Sequence, residues 1–211
     1  MPITATPSVG VDQLLLAKKY MNPCSALSIL LFTLVSLLAF AVWAFGSSLF
    51  SSEPAMYAAC ALLFLGLGGP ALLADSGKIS GSQVRFCLSF SLAFLIYAFL
   101  WSVSWFSLPT TFGEIVGSSL GLAGFALVYR GMMQHRVSIA TATATLFLWH
   151  TIGYYAGGFL YAAIQGRGPG AASLDWEPST IRHCARLSWG LCYGLGLGLG
   201  INRFFHLSRQ S

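Results

Sequence analysis

The chain has 211 residues, of which 56% are hydrophobic and only 8% are charged, with a net charge of +5. A soluble domain carries roughly 25% charged residues, so this composition excludes a water-soluble globular protein and predicts an all-α integral membrane protein. The basic residues stand singly between apolar runs and form no patch, which argues against a nucleic-acid partner.

Six apolar runs are long enough to cross a hydrocarbon core of ~30 Å as helices of about 20 residues. In chain order they cover approximately residues 24–46, 54–74, 84–106, 112–129, 138–163 and 184–204. They are too continuously apolar for the alternating strands of a membrane barrel. The sequence therefore predicts a six-helix transmembrane domain over residues 24–207 and a short cytoplasmic tail over residues 208–211.

Residues 1–23 form a predicted cytoplasmic segment before the first run. The first 21 residues are polar and mixed and lack the cleavage site of a signal peptide. Within this segment, residues 11–20 (VDQLLLAKKY) have two interpretations. One is a short amphipathic helix lying on the membrane surface, and the other is a disordered tail that only supplies positive charge.

Orientation follows from lysine and arginine, which concentrate on the cytoplasmic side of membrane proteins. With the amino terminus inside, eight of these residues fall on inner segments: Lys18, Lys19, Lys78, Arg85, Arg130, Arg136, Arg203 and Arg209. Only Arg167, Arg182 and Arg186 fall outside. The bias predicts that both termini are cytoplasmic, and the favoured location is a bacterial inner membrane.

Glycine is concentrated within the later runs at four-residue spacing. The rows are Gly113, Gly117 and Gly121 in the fourth span, Gly153 and Gly157 in the fifth, and Gly190, Gly194 and Gly198 in the sixth. Small residues allow close backbone approach between membrane helices. The rows predict a tight core of spans four, five and six, although glycine can also keep a substrate groove smooth.

The second span contains Gly68, Gly69 and Pro70. Proline removes a backbone donor and clashes with the preceding turn of a helix. This motif is either an ordinary kink or a broken-helix site, where a transporter exposes backbone groups to its substrate.

Ionisable groups within a bilayer are costly and therefore become candidates for function. Three stand out, and at ~1.5 Å per residue from the inner helix ends Glu114 lies at ~24 Å, Arg186 at ~25 Å and His150 at ~18 Å. With Tyr154 on the same face as His150, they form a predicted polar cluster in which Glu114 and Arg186 pair. The alternative is that both charges reach lipid headgroups and that His150 is a neutral structural residue.

Residues 117–121 (GSSLG) fit the G-x-S-x-G pattern of serine hydrolases. With six spans and a serine on the fourth, the layout resembles that of rhomboid-type membrane proteases. The resemblance implies Ser118 or Ser119 as the nucleophile with a histidine as base. The sequence departs from that family because Leu120 follows the serines and because the sixth span has histidines only at its margins, His183 and His206.

No cofactor is specified by the sequence. The five cysteines are far apart and lack metal-ligand spacing, so we interpret them as packing residues and expect no metal. His150 alone could serve as an axial ligand to haem or chlorophyll, since one nitrogen suffices.

Three functional hypotheses follow. We favour a transporter or channel for an ion or small solute, and so expect no enzymatic activity. The alternatives are an intramembrane enzyme acting on a lipid or peptide, and a non-catalytic or pigment-binding subunit of a membrane complex. The expected partners are membrane lipids and either a second copy of the chain or a larger membrane complex.

Overall fold

The computed structural model describes residues 23–46, 49–76, 83–134, 136–167, 171 and 175–210, and within these ranges it contains six α-helices and no strand. The helices are α1 (Pro23–Phe45), α2 (Glu53–Ser76), α3 (Gln83–Ser107), α4 (Thr110–Met133), α5 (Ile139–Ile164) and α6 (Pro178–Gln210). The first four are long and apolar enough to cross a membrane. This agrees with the predicted class, an all-α membrane protein. The two interpretations of residues 11–20 concern a segment that lies outside the described residues.

The last helix is longer than its apolar run. It begins at Pro178, six residues before the predicted start, and continues to Gln210. Proline is well suited to the first turn of a helix, because its φ angle is already helical and its missing N–H would have no partner there. The first turns also carry Arg182 and His183, so the predicted span begins only where the apolar run of this helix begins.

The helices form a closed antiparallel ring. Each helix packs against its neighbours in sequence, and α6 completes the ring by packing against α1. The hydroxyl of Ser36 donates a hydrogen bond of 2.8 Å to the carbonyl oxygen of Gly190 across that last contact. We call end A the end where α1, α3 and α5 finish, and end B the end where they begin.

The glycine rows pack against different helices. An added Cβ on Gly153 of α5 would lie 2.5 Å from the carbonyl oxygen of Cys192 and 2.8 Å from the Cα of Gly196, both on α6. On Gly117 of α4, it would lie 3.0 Å from the Cα of Trp101 on α3. Among the described residues, no Cα of α4 comes within 8 Å of one on α6. The predicted core of spans four, five and six is therefore wrong for α4, because its row faces α3.

Pro70 lies inside α2, which is one continuous helix. The two preceding glycines face α3: an added Cβ would lie 2.5 Å from the Phe90 ring at Gly68 and 3.0 Å from the Cα of Cys87 at Gly69. In this conformation the motif brings two helices together, and the backbone is not broken there.

The interior near end B is filled by buried aromatic rings, which we call the aromatic layer. Its members lie on α3, α4 and α6: Phe86, Phe90, Phe94, Phe125, Tyr129, Phe204 and Phe205. The ring centroids of Tyr129 and Phe205 are 5.0 Å apart, and those of Phe125 and Phe204 are 6.3 Å apart. These rings fill the space between α4 and α6.

Candidate functional site

His150 lies near the middle of α5 and points into the ring of helices, where only 2% of its surface is exposed. Its Nε2 atom is 2.8 Å from the hydroxyl oxygen of Tyr97 on α3. Gly153 stands three residues further along the same face and brings α6 close. The imidazole is thereby held among three helices.

The hydrogen-bonded chain continues from α3 to α6. The hydroxyl oxygens of Tyr97 and Tyr193 are 3.1 Å apart. The ring of Tyr193 also packs edge-on against the imidazole of His150, with centroids 5.6 Å apart. One imidazole and two phenols therefore form a connected polar group in the middle of the bundle.

A second polar pair lies closer to end A. The hydroxyl of Tyr154 on α5 donates a hydrogen bond of 3.1 Å to Oε1 of Glu114 on α4. The Tyr154 ring stacks on the His150 imidazole at a centroid distance of 5.7 Å. We call the whole set the polar column: Glu114, Tyr154, His150, Tyr97 and Tyr193. It leads from near end A to the middle of the bundle, where the aromatic layer begins.

Arg186 has a different environment from the predicted one. Its guanidinium donates a hydrogen bond of 2.8 Å to the carbonyl oxygen of Trp43 at the end of α1, and its Cζ lies 4.6 Å from the centroid of the Trp43 ring. No ion pair joins Arg186 to Glu114 within the described part of the chain, since each is bonded elsewhere. The predicted Glu114–Arg186 pair is wrong, and Arg186 instead connects α6 to α1 through hydrogen bonding and a cation–π contact.

The structure brings together three of the four predicted cluster residues, Glu114, His150 and Tyr154. The sequence analysis does not identify Tyr97 and Tyr193, because a tyrosine in an apolar run is usually a packing residue. The feature that could have identified them is their depth in the membrane, since both lie near the middle of their helices, at the level of His150.

Comparison with known proteins gives no relative. The sequence matches no protein-family model and is similar to no curated protein and no solved structure.

The serines offer no catalytic arrangement in the described residues. The hydroxyl of Ser119 bonds to the carbonyl oxygen of Ile115 in its own helix, and Ser118 is buried. Neither serine is hydrogen bonded to a histidine among the residues described, and the Nε2 of His150 is already engaged by Tyr97. A tetrapyrrole bound at that nitrogen would have to displace the hydroxyl of Tyr97.

Proposed function

We propose that all six helices cross the membrane, forming one transmembrane domain with both chain termini in the cytoplasm, in a bacterial inner membrane. The lysine and arginine bias supports this orientation, which makes end B cytoplasmic. The outer surfaces of α5 and α6 are apolar as well, since Leu148, Ile152 and Leu191 are exposed. Membrane lipids are then the surrounding partner.

We propose that the protein is a transporter or channel for an ion or small solute. The polar column carries this proposal. Polar and ionisable groups inside a membrane domain are expensive, and they commonly mark ion pathways and proton relays. Here they come from four different helices and meet in the interior, which a purely structural histidine does not require.

The aromatic layer supports a one-sided pathway. Toward end A, the column ends at Glu114, which is only partly buried. Toward end B, the interior beyond Tyr193 and Tyr97 is occupied by buried rings, among them Phe90 and Phe94. In this proposal the transported species enters from end A, and the rings of the aromatic layer move to release it at end B.

Reconstitution into liposomes tests the proposal. The purified protein is assayed for uptake of protons, sodium, potassium, amino acids and sugars against empty liposomes. We expect flux of at least one of these, with a loss of at least tenfold in His150→Gln and Tyr97→Phe. Ser119→Ala is the matched control, because its hydroxyl bonds only within α4. If no panel member crosses, or if both column variants transport at the wild-type rate, the proposal fails.

The other two hypotheses are separated by the same preparation. A complex subunit gives no flux alone and co-purifies from native membranes with a partner protein or a second copy of the chain. An intramembrane enzyme would lose activity on a lipid or peptide when Ser118 is replaced by alanine. Transport through the polar column would not depend on Ser118.

A further inference from the structure

The polar column contains an interruption between its two hydrogen-bonded parts. On one side Tyr154 is bonded to Glu114, and on the other side His150 is bonded to Tyr97. The rings of Tyr154 and His150 are stacked, but no hydrogen bond between them is present in the described structure. The other members of the polar column are connected by hydrogen bonds, so this interruption divides the column into two parts.

Three buried nitrogen atoms next to this interruption have no hydrogen-bond partner in the described part of the protein. They are Nδ1 of His150, Nε1 of Trp101 and Nε1 of Trp189. The three rings contact one residue, Tyr154, with centroid distances to its ring of 5.7 Å for His150, 6.5 Å for Trp101 and 5.5 Å for Trp189. The unpartnered groups therefore surround the side chain that reaches Glu114.

The chemistry of these groups restricts what they bind. An indole nitrogen only donates a hydrogen bond, and a carboxylate only accepts one. A ligand that satisfies both must accept from Trp101 and Trp189 and donate to Glu114. Water does this, and a site with several polar partners of this kind is where buried water is found. A bare sodium or calcium ion is disfavoured, because it binds oxygen atoms and would face the positive ends of two N–H dipoles.

We propose that water held beside Tyr154 bridges Glu114 to Nδ1 of His150, and that the polar column conducts protons. The proton is then the transported species or the coupling ion of the transporter proposed above, on which this inference rests. The groups that face the bridge are Glu114 from α4, His150 and Tyr154 from α5, Trp101 from α3 and Trp189 from α6. Tyr155 of α5 also contacts Glu114, from the more exposed side.

Proton transfer along this path balances at every step. A protonated Glu114 gives its proton to the bridging water, which passes one of its own to Nδ1 of His150. The imidazolium releases the proton on Nε2 to the oxygen of Tyr97, while Tyr97 passes its hydroxyl proton to Tyr193. Tyr193 passes its own proton to water admitted when the aromatic layer opens. The tyrosines end neutral, and His150 ends neutral with its proton on Nδ1.

The test is proton flux into liposomes containing a trapped pH-sensitive dye, driven by a potassium diffusion potential. Trp101→Phe removes one N–H and keeps an aromatic ring, and we expect it to lower proton flux at least tenfold. Trp105→Phe is the matched control, because Trp105 stacks on Trp101 at 5.9 Å but its indole nitrogen is not one of the buried unpartnered nitrogens described above. We expect this control to remain within twofold of wild type, and Glu114→Gln to lower the flux as Trp101→Phe does.

Each result decides one of the two proposals. Wild-type proton flux in Trp101→Phe overturns the water bridge. If the wild type moves another solute of the panel without moving protons, the proton inference fails while the transport proposal stands. If nothing moves, both fail. Thermal melting in detergent shows that each variant is folded, and Trp189→Phe provides a second variant if Trp101→Phe does not fold.

Discussion

The close contact between α5 and α6 can be tested with two substitutions on the same helix, Gly153→Ala and Gly158→Ala. Both exchange glycine for alanine within α5, so both gain about 1 kcal/mol of intrinsic helix preference, and this gain cancels in the comparison. They differ in surroundings. A Cβ at Gly158 has no atom within 4 Å among the described residues, whereas one at Gly153 lies 2.5 Å from the Cys192 carbonyl oxygen.

Relieving the contact at Gly153 requires α5 and α6 to separate by about 0.9 Å, since ordinary contact begins at 3.4 Å. Overpacking of this kind costs about 1–3 kcal/mol. For a chain of this length 1 kcal/mol corresponds to about 2–4 °C, so Gly153→Ala should melt about 2–12 °C below Gly158→Ala. Thermal melting of the detergent-solubilised protein measures the difference. Melting of the two variants within 1 °C of each other would refute the close approach.

Three other predictions follow from the fold and the site. A periplasm-dependent reporter fused to the carboxyl terminus should be inactive if the chain has six spans, and strong activity would contradict that topology. Tyr154→Phe should lower the free energy of unfolding by about 0.6 kcal/mol, the average for hydrogen bonds between membrane helices, and by no more than about 1.7 kcal/mol. An unchanged value would mean that the bond to Glu114 is not formed. Because Glu114 and Arg186 share no hydrogen-bond partner, the losses from Glu114→Gln and Arg186→Gln should add to within about 0.5 kcal/mol, and rescue in the double variant would restore the ion-pair hypothesis.

The helices could be predicted from the sequence because lipid-exposed runs must be apolar and must be long. Their relative rotations could not be predicted from one sequence. Depth placed Glu114 and Arg186 at the same level, but two residues at equal height meet only if both helices turn those faces toward each other. Arg186 faces α1 and Glu114 faces α5, so a correct estimate of depth led to a wrong pair.

The same limit applies to the polar column. His150 and Tyr154 could be assigned to one face because both lie on one helix, four residues apart. The partners of His150 come from α3 and α6, and nothing local in those helices marks Tyr97 or Tyr193 as different from packing residues. Contacts between helices that are distant in sequence depend on how the six helices are arranged in the closed ring. The hydropathy pattern of the sequence does not reveal that arrangement.

The contact between the first and last helices has a consequence for biosynthesis. α1 leaves the ribosome before α6, so the surface where the Ser36 hydroxyl donates to the Gly190 carbonyl oxygen stays uncovered until the 33-residue helix α6 has been made. We therefore expect the insertion machinery to shield α1 in the nascent chain until α6 has been made. Since α1 begins and α6 ends at end B, a linker from Gln210 to Pro23 should allow the protein to be opened instead between α4 and α5. In such a circular permutant α6 is made before α1, so α1 can pack against it at once. The permutant should therefore depend less on that shielding.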